Sequence, residues 1–196
     1  MSLSNQQQPS GVSRHKIRRA EYHLLSKEGL LPVEGKIELL GGEIFEMSPS
    51  GPLHSTVVDE IYDLIRNQIS PDIAKIRNEK AIVLDDFSEP EPDVAVVKPG
   101  DYTERHPTGA EVLLLIEVSK SSLEYDREIK LPTYATSGIP EVWIINLNEG
   151  MVEIYQNPTG NSFADKRVID SKAEDPVLTP LRLPAFAFSL KEIPIR

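Results

Sequence analysis

The middle of the chain consists of apolar runs of strand length and one segment with helical spacing. Residues 112–116 are an uninterrupted apolar run, which predicts a central strand covered on both faces of its sheet. Residues 93–97 and 141–147 predict two more strands, and residues 123–137 predict a helix, in which Pro132 marks a kink or a new start. This order of strand, helix and strand predicts a right-handed parallel crossover.

The flanking sequence adds two helices and several shorter strands. Apolar residues at helical spacing predict helices over residues 20–28 and 54–69. A Gly41-Gly42 turn between two short β-like stretches predicts a hairpin. The strands predicted outside the central unit are residues 36–40, 43–47, 76–84, 151–155 and 166–169, the last of them at a sheet edge.

These elements predict an α/β fold. Its central mixed β-sheet is flanked by helices, with an N-terminal helix and a β-hairpin as additions. A chain of 196 residues is long enough for one domain with a two-layer core and too short for two comfortable domains. We expect a single domain over residues 13–196, preceded by a disordered tail over residues 1–12, which are polar and rich in glutamine.

Two carboxylates stand where the strand pattern calls for apolar side chains. Glu117 ends the run at residues 112–116, and Asp93 opens the strand at residues 93–97. If these strands are antiparallel neighbours, the start of one lies beside the end of the other and the two carboxylates converge. Two such charges about 4 Å apart repel by roughly 4 kcal/mol at an effective dielectric constant near 20. A proton or a divalent cation would relieve that repulsion; a buried pair of structural carboxylates is the alternative.

Several short motifs follow one another in a fixed order along the chain. Glu91-Pro92-Asp93, with Glu117 ending an apolar strand and a lysine nearby, resembles the signature of the PD-(D/E)XK nuclease superfamily. The wider set resembles the Uma family of putative restriction endonucleases over roughly residues 20–190. The residues that carry this wider resemblance are Ile37-Glu38-Leu39-Leu40-Gly41-Gly42-Glu43, Met47-Ser48-Pro49, His54, Ile116-Glu117-Val118, Tyr134-Ala135 and Gly138-Ile139-Pro140-Glu141-Val142-Trp143.

The resemblance implies a restriction endonuclease-like fold and a metal-dependent endonuclease that hydrolyses phosphodiester bonds of nucleic acid, DNA in the first place. Asp93 and Glu117 would be catalytic and would bind Mg²⁺ or Mn²⁺, with the backbone carbonyl of Val118 as a third ligand. The products would be a 5′-phosphate and a 3′-hydroxyl. Cleavage of both strands of a duplex would favour a two-fold homodimer.

The usual lysine of the superfamily is missing from its position. It stands two residues after the glutamate, where this chain has Ser119. Lys120 and Lys130 are the nearest substitutes, and strand alternation turns Lys120 to the opposite face. Relatives of this fold also carry the lysine on the following helix, so we expect Lys130 to be the catalytic lysine. An ordinary helix ion pair with Asp126 is the alternative.

His54 is an accessory candidate, because relatives of this fold place a histidine or an acidic residue of the first helix near the metal. A helix cap or a surface position is the alternative for this side chain. Glu38 and Glu43 are expected to be exposed hairpin carboxylates, and Glu60 is a weaker candidate than His54. Tyr134 is expected in the core or in the wall of a cleft.

The formal net charge of −10 argues against an extended nucleic-acid surface, because phosphate binding depends on clustered lysine and arginine. Acidic nucleases nevertheless exist where carboxylates hold metal ions and a local basic patch meets the phosphate. The best such patch consists of Arg14, Lys16, Arg18 and Arg19. A solvated helix face is the alternative for that patch.

The absence of cysteine excludes disulfides and thiolate metal sites and fits a reducing cytoplasm. No apolar run reaches transmembrane length, and the first residues lack the basic-then-apolar order of a signal peptide. We therefore expect a cytoplasmic protein that does not enter a membrane.

Two other function classes stay open. Ser119 in place of the lysine would also fit a catalytically decayed nuclease-fold module that acts in binding or dimerisation. A carboxylate-based hydrolase of sugars usually needs aromatic platforms in its cleft, and this chain contains 6% aromatic residues. Divalent-cation binding in the millimolar range or tighter would separate the nuclease from the binding module.

Overall fold

The apolar runs in the middle of the chain become strands of one mixed sheet in the computed structural model, which describes residues 12–32, 35–174 and 176–195. The predicted tail lies outside these residues, except for Val12. In chain order the elements are α1 (Arg19–Lys27), β1 (Lys36–Leu40), β2 (Glu43–Met47), α2 (Pro52–Gln68), β3 (Lys75–Asn78), β4 (Val94–Val97), β5 (Val112–Ser119), α3 (Leu123–Tyr125), a π-helical turn (Asp126–Lys130), α4 (Leu131–Thr136), β6 (Glu141–Asn146), β7 (Met151–Thr159), β8 (Ser162–Asp170), β9 (Val177–Leu178) and β10 (Phe188–Ser189).

The central sheet has six strands in the order β3-β4-β5-β6-β7-β8. Its β5 and β6 are parallel and are joined by the helical segment between them, as the predicted crossover requires. The pairs β3–β4, β4–β5, β6–β7 and β7–β8 are antiparallel. The predicted mixed α/β sheet is therefore confirmed, and the hairpin β1–β2 forms a separate two-stranded sheet.

Both faces of β4, β5 and β6 are covered by other parts of the protein, which explains the continuous apolar sequence of these strands. On one face, α2 packs against the sheet through Val57, Ile61 and Ile65, and the C-terminal segment adds Phe186 and Phe188. Complete burial of each such side chain stabilises the fold by about 1.5–3 kcal/mol. This face of the sheet therefore forms a hydrophobic core layer.

The opposite face of the sheet carries the site. Ala95 of β4 and Leu115 of β5 pack on this face beside Tyr134 of α4. Because side chains alternate along a strand, Asp93 and Glu117 lie on the same face as Ala95 and Leu115. The period of two thus directs both carboxylates towards the helical segment between β5 and β6.

Several element boundaries depart from the sequence prediction, among them β7, which extends to Thr159 where residues 151–155 were predicted. The strand predicted over residues 76–84 ends at Asn78, because Glu79 adopts a φ of 47°, which breaks the extended conformation. The edge strand predicted over residues 166–169 is longer, since β8 spans Ser162–Asp170. The helix predicted over residues 123–137 is divided by the π-helical turn, after which Pro132 lies in the first turn of α4. Of the two predicted outcomes at Pro132, a kink or a new start, the structure shows Pro132 in the first turn after a π-helical turn, with helical backbone on both sides of the junction.

The loop between β4 and β5 is closed by an ion pair at its end. Arg105 binds both carboxylate oxygens of Glu111 at 2.7 Å, and the Thr108 N–H donates to the same carboxylate at 2.8 Å. These hydrogen bonds, that of Arg105 first, lower the pKa of Glu111 from 4.5 to about 2. None of the described residues of this loop lines the cleft described below.

Glu111→Gln is expected to destabilise the protein slightly at pH 7 and progressively less at acid pH. A pKa that is lower in the folded state gives a stabilisation that is present above about pH 4.5 and is lost as the pH falls towards 2. The pair is largely exposed to solvent, which screens it, so the loss of stability at pH 7 is small. Urea unfolding at pH 7 and pH 3 measures it, with the exposed Glu104→Gln as control. A deficit that grows at acid pH would contradict the assignment.

Among the residues that the structure describes, no helix is both long and apolar enough to cross a membrane.

Candidate active site

The two carboxylates singled out by the sequence lie at adjoining strand ends. Val94 is paired with Ile116 in the antiparallel β4–β5 register, so Asp93 and Glu117 are neighbours across the ladder. The Asp93 N–H lies 3.5 Å from Glu117 Oε2, and Asp93 Oδ2 accepts a 2.7 Å hydrogen bond from the Val118 N–H. Asp93 is 6% exposed and Glu117 is 2% exposed. The structure therefore brings the predicted pair together, nearly buried.

Lys130 reaches this pair from the π-helical turn. Its Nζ donates to both carboxylate oxygens of Glu117 at 3.2 Å, and it lies 3.1 Å from Glu38 Oε1. The alternative ion pair with Asp126 is not formed, because Asp126 Oδ2 accepts hydrogen bonds from Ser119 and Ser122. The ammonium is therefore held between two carboxylates.

The π-helical turn is anchored by two residues that precede Lys130. Arg127 forms an ion pair with the buried Glu153 of β7. Asp126 binds the Ser119 hydroxyl at 2.7 Å and the Ser122 hydroxyl at 2.8 Å. A π-helical turn carries an extra residue and is common at functional sites. These contacts fix the direction in which Lys130 projects.

Tyr134 lies one helical turn beyond Lys130 and is completely buried. Its hydroxyl donates a 2.5 Å hydrogen bond to Glu117 Oε1. The side chain is in the core, as predicted, and it also orients the carboxylate. Burial raises the pKa of Tyr134 well above its ordinary value, so the phenol stays a donor.

Glu38 corrects the sequence interpretation, which expected an exposed hairpin carboxylate. Its side chain is 0% exposed, and Oε2 accepts a 3.3 Å hydrogen bond from the Tyr125 hydroxyl. Oε1 lies close to Lys130 without the geometry of a hydrogen bond. Strand alternation places Glu38 on the face opposite Ile37 and Leu39, which is the usual pattern of an exposed side chain, so the local sequence offered no sign of this burial. Glu43, in contrast, is exposed as expected.

His54, the accessory candidate, lies beside Asp93. Its Nε2 is 3.1 Å from Asp93 Oδ2, and its Nδ1 is buried without a hydrogen-bond partner among the described residues. Lys36, which sequence reasoning missed, places Nζ 3.6 Å from Asp93 Oδ1 and 3.7 Å from Glu38 Oε1. Glu60 is exposed on α2 and joins none of these contacts. A histidine and a lysine therefore accompany the acidic pair.

Burial and neighbouring charges shift the pKa values of Asp93 and Glu117 in opposite directions. Burial raises the pKa of Glu117; Lys130 opposes this rise, whereas the charge of Asp93 adds to it. Burial alone would also raise the pKa of Asp93, but the His54 hydrogen bond and the charges of Lys36 and Lys130 outweigh it and lower that pKa. Burial works against the charge of Lys130, yet Glu117 and Glu38 raise its pKa well above the ordinary value. Lys130 is therefore a fixed cation.

Lys120 does not follow the expectation that it faces away from the site. β5 ends at Ser119, so strand alternation does not extend to this residue. Its backbone oxygen accepts a 2.7 Å hydrogen bond from the Asn148 side chain, and its exposed side chain lines the same cleft as Asp93 and Glu117. Lys120 is therefore a second lysine of the cleft.

A cleft of about 520 Å³ opens above these residues. One wall is formed by the end of β2, the loop over residues 48–51 and the start of α2. The other wall is formed by Lys120, Ser121, Ser122 and Tyr125. Asp93, Glu117 and Lys130 form the floor. A ligand must enter this cleft to reach the carboxylates.

The donor set fits a hard divalent cation that keeps several waters. Asp93 Oδ2 is occupied by the Val118 N–H and His54, whereas Oδ1 makes no hydrogen bond with the described residues and faces Lys36 at 3.6 Å. Within residues 12–32, 35–174 and 176–195, no group of three or more His, Cys, Asp or Glu side chains is arranged as a metal site. Mg²⁺ is commonly bound by one or two carboxylates and water, which is what this site offers.

A protein-family model matches most of the chain. The sequence model of the Uma2 family, described as a putative restriction endonuclease, matches residues 19–191. The chain belongs to the Uma2 family. The resemblance inferred from the ordered motifs is thereby confirmed, and membership in Uma2 supports a nuclease-like function.

A solved structure shares the fold of this Uma2 protein. It is the crystal structure of a putative nuclease belonging to DUF820 from Anabaena variabilis, with a TM-score of 0.69 and 20% sequence identity. The match covers 86% of this chain and 95% of that chain. No curated protein sequence matches the chain. The structural likeness confirms the nuclease-type α/β fold.

Proposed function

We propose that this Uma2 protein is a metal-dependent endonuclease that hydrolyses phosphodiester bonds of DNA. The observation that carries the proposal is the meeting of Asp93, Glu117 and Lys130 at the floor of one cleft. A buried acidic pair with a buried lysine is what phosphodiester hydrolysis needs: ligands for a cation, and a fixed positive charge near the phosphate.

Asp93 and Glu117 would hold Mg²⁺ or Mn²⁺, with the backbone carbonyl of Val118 as the proposed third ligand. When bound, the cation supplies a water of lowered pKa and positive charge beside the scissile phosphate. His54 holds Oδ2 of Asp93, so that Oδ1 is left for the cleft. Tyr134 similarly fixes Glu117 through Oε1. The protein thus orients both carboxylates before any ligand arrives.

Lys130 acts as a charge and not as a base. Glu117 and Glu38 hold it protonated, so it has no free lone pair with which to accept a proton. Its ammonium lies beside Glu117, so it would stand close to a phosphate bound at the acidic pair, and a positioned cation of this kind stabilises the negative charge of the transition state. In the reaction the water oxygen bonds to phosphorus and the bond to the 3′ oxygen breaks. The 3′ oxygen takes a proton, which gives a 3′-hydroxyl and a 5′-phosphate.

The site has a positively charged side chain even though Ser119 stands at the usual position of the lysine. Its hydroxyl donates to Asp126, and the ammonium that pairs with Glu117 comes from Lys130 instead. This arrangement supports an active enzyme over a decayed binding module. The two hypotheses predict different responses to metal.

Cleavage is expected to require added Mg²⁺ or Mn²⁺ and to stop when EDTA removes the metal, while the fold persists. The assay uses a panel of DNA and RNA substrates, with circular dichroism as the control for folding and calorimetric titration of Mn²⁺ as the control for binding. Cleavage that continues at full rate in EDTA would contradict metal dependence. Folded protein that binds Mn²⁺ but cleaves nothing in the panel would favour the binding module.

A further inference from the structure

The depth of the candidate active site restricts what can reach it. Asp93, Glu117 and Lys130 are 6%, 2% and 2% exposed, so none of them lies on an open surface. A scissile phosphate must therefore descend between the two walls of the cleft. The backbone of the substrate has to enter a recess and does not dock on a flat face.

The size of that recess suits one or two nucleotides. Its volume of about 520 Å³ falls within the roughly 300–1,000 Å³ of pockets that enclose a ligand of small-molecule size. A base paired inside a duplex is stacked between its neighbours and cannot occupy such a pocket unless it leaves the stack. An unpaired strand carries no such restriction.

The walls of the cleft carry an aromatic pair that a paired base could not use. The Phe45 ring of one wall is in contact with the Tyr125 ring of the other, with 5.2 Å between the ring centroids and 53° between the ring planes. Both side chains line the cleft, both are only partly buried, and Met47 and Leu53 extend the apolar surface. Stacking of a base on an aromatic side chain contributes about 1–3 kcal/mol and tolerates any sequence.

The positive charge in the cleft is small. Among the described residues that line it, the lysines and arginines are Lys36, Lys120 and Lys130, and Lys130 is held by two carboxylates. Lys36 is also held by two carboxylates, those of Asp93 and Glu38, so among these three described lysines Lys120 alone forms no ion pair, in a chain of net charge −10. Binding to a duplex depends on many phosphate contacts, whereas a short unpaired segment needs few.

From these observations we propose that the substrate enters as an unpaired strand of DNA, with a base stacked on the exposed side of the Phe45–Tyr125 pair and its phosphate directed to Asp93 and Glu117. This inference rests on the proposed nuclease function and specifies the substrate of the same site. Lys120 contacts a flanking phosphate. One such contact with a single strand predicts a slope of about −0.7 for log affinity against log salt.

The test is fluorescence anisotropy with the full chain in Ca²⁺ and a labelled 12-nucleotide DNA, offered as a single strand and as a blunt duplex of the same sequence. The single strand is expected to bind at least about 10-fold more tightly. Phe45→Leu should weaken that binding about 5- to 150-fold, which corresponds to the loss of one stacked base, and Phe45→Tyr should preserve it.

Phe163→Leu is the matched control. Phe163 is also a partly buried phenylalanine beside a tyrosine, 6.0 Å from the Tyr155 ring, but it lies on β8 outside the cleft. Its substitution should leave DNA affinity unchanged. Thermal unfolding of each variant checks that the fold is intact. Equal effects of Phe45→Leu and Phe163→Leu, or duplex binding as tight as single-strand binding, would overturn the inference.

Cleavage assays in Mn²⁺ separate this inference from the proposed function. If duplex DNA is cut and single strands are not, the unpaired-strand assignment is wrong and the nuclease assignment stands. If nothing is cut while single strands bind in a Phe45-dependent manner, the nuclease assignment fails, and the proposal that a base stacks on Phe45 stands.

Discussion

Asp93→Asn and Glu117→Gln are each expected to remove Mn²⁺ binding and DNA cleavage together. Both substitutions keep the shape of the side chain but take away the negative charge that a hard cation requires. An asparagine in place of Asp93 could still accept from the Val118 N–H, and the Glu117 site keeps Tyr134 and Lys130 beside it. The metal contributes several kcal/mol to the transition state, so the rate should fall by more than about 10²-fold. Calorimetry and a gel-based cleavage assay measure the two effects.

Glu60→Gln is the matched control for this loss of charge. Glu60 is an exposed carboxylate of α2 that lies outside the cleft. The variant should bind Mn²⁺ and cleave DNA like the unmodified protein. The alanine variants of Asp93 and Glu117 should show the same catalytic loss, with added destabilisation. Glu117→Ala takes a buried partner from Lys130, and Asp93→Ala takes one from His54 and Lys36. Full Mn²⁺ affinity in both the Asp93 and the Glu117 variants would place the metal elsewhere.

Lys130→Met is expected to lower the cleavage rate by about 10²- to 10⁴-fold while Mn²⁺ affinity stays unchanged or becomes slightly tighter. An ammonium is not a metal ligand, and its removal takes positive charge away from the carboxylates that bind the cation. Methionine keeps the length of the side chain, so the buried volume stays filled. Lys130→Ala should show the same separation of rate and affinity. Single-turnover cleavage with saturating Mn²⁺ measures the rate.

The control for Lys130→Met is Lys172→Met, a substitution at an exposed lysine outside the cleft. Lys120→Ala does not serve as a neutral control, because Lys120 lines the cleft. It should weaken DNA binding without the rate loss seen at Lys130. If Lys130→Met cleaves at the full rate, another residue must supply the positive charge, and His54 beside Asp93 would be the first candidate.

The central part of the site was predictable because it depends on local periodicity and one strand pairing. The uninterrupted run before Glu117 requires a central strand, and antiparallel pairing with the strand after Asp93 brings the two acids together. Lys130 could be predicted from the sequence because only a short segment separates it from the end of β5. The family resemblance added the expectation that a lysine could act from that helix.

The rest of the site depends on contacts that the pattern does not encode. Glu38 and Lys36 belong to the β1–β2 hairpin, which is a separate sheet, and its position against the central sheet is set by long-range packing. Lys120 lies just beyond the end of β5, where alternation no longer determines direction. The strand predicted to continue past Asn78 stops because of the backbone conformation of Glu79, which a propensity argument does not detect.

The most direct test of the proposed metal site is anomalous diffraction from crystals of the protein soaked in Mn²⁺. We expect an anomalous peak in the cleft, about 2.0–2.6 Å from carboxylate oxygens of both Asp93 and Glu117, with Lys130 Nζ outside its coordination shell. A peak bound by other residues, or no peak near Asp93 and Glu117 at millimolar Mn²⁺, would contradict the proposal that this acidic pair holds the catalytic metal.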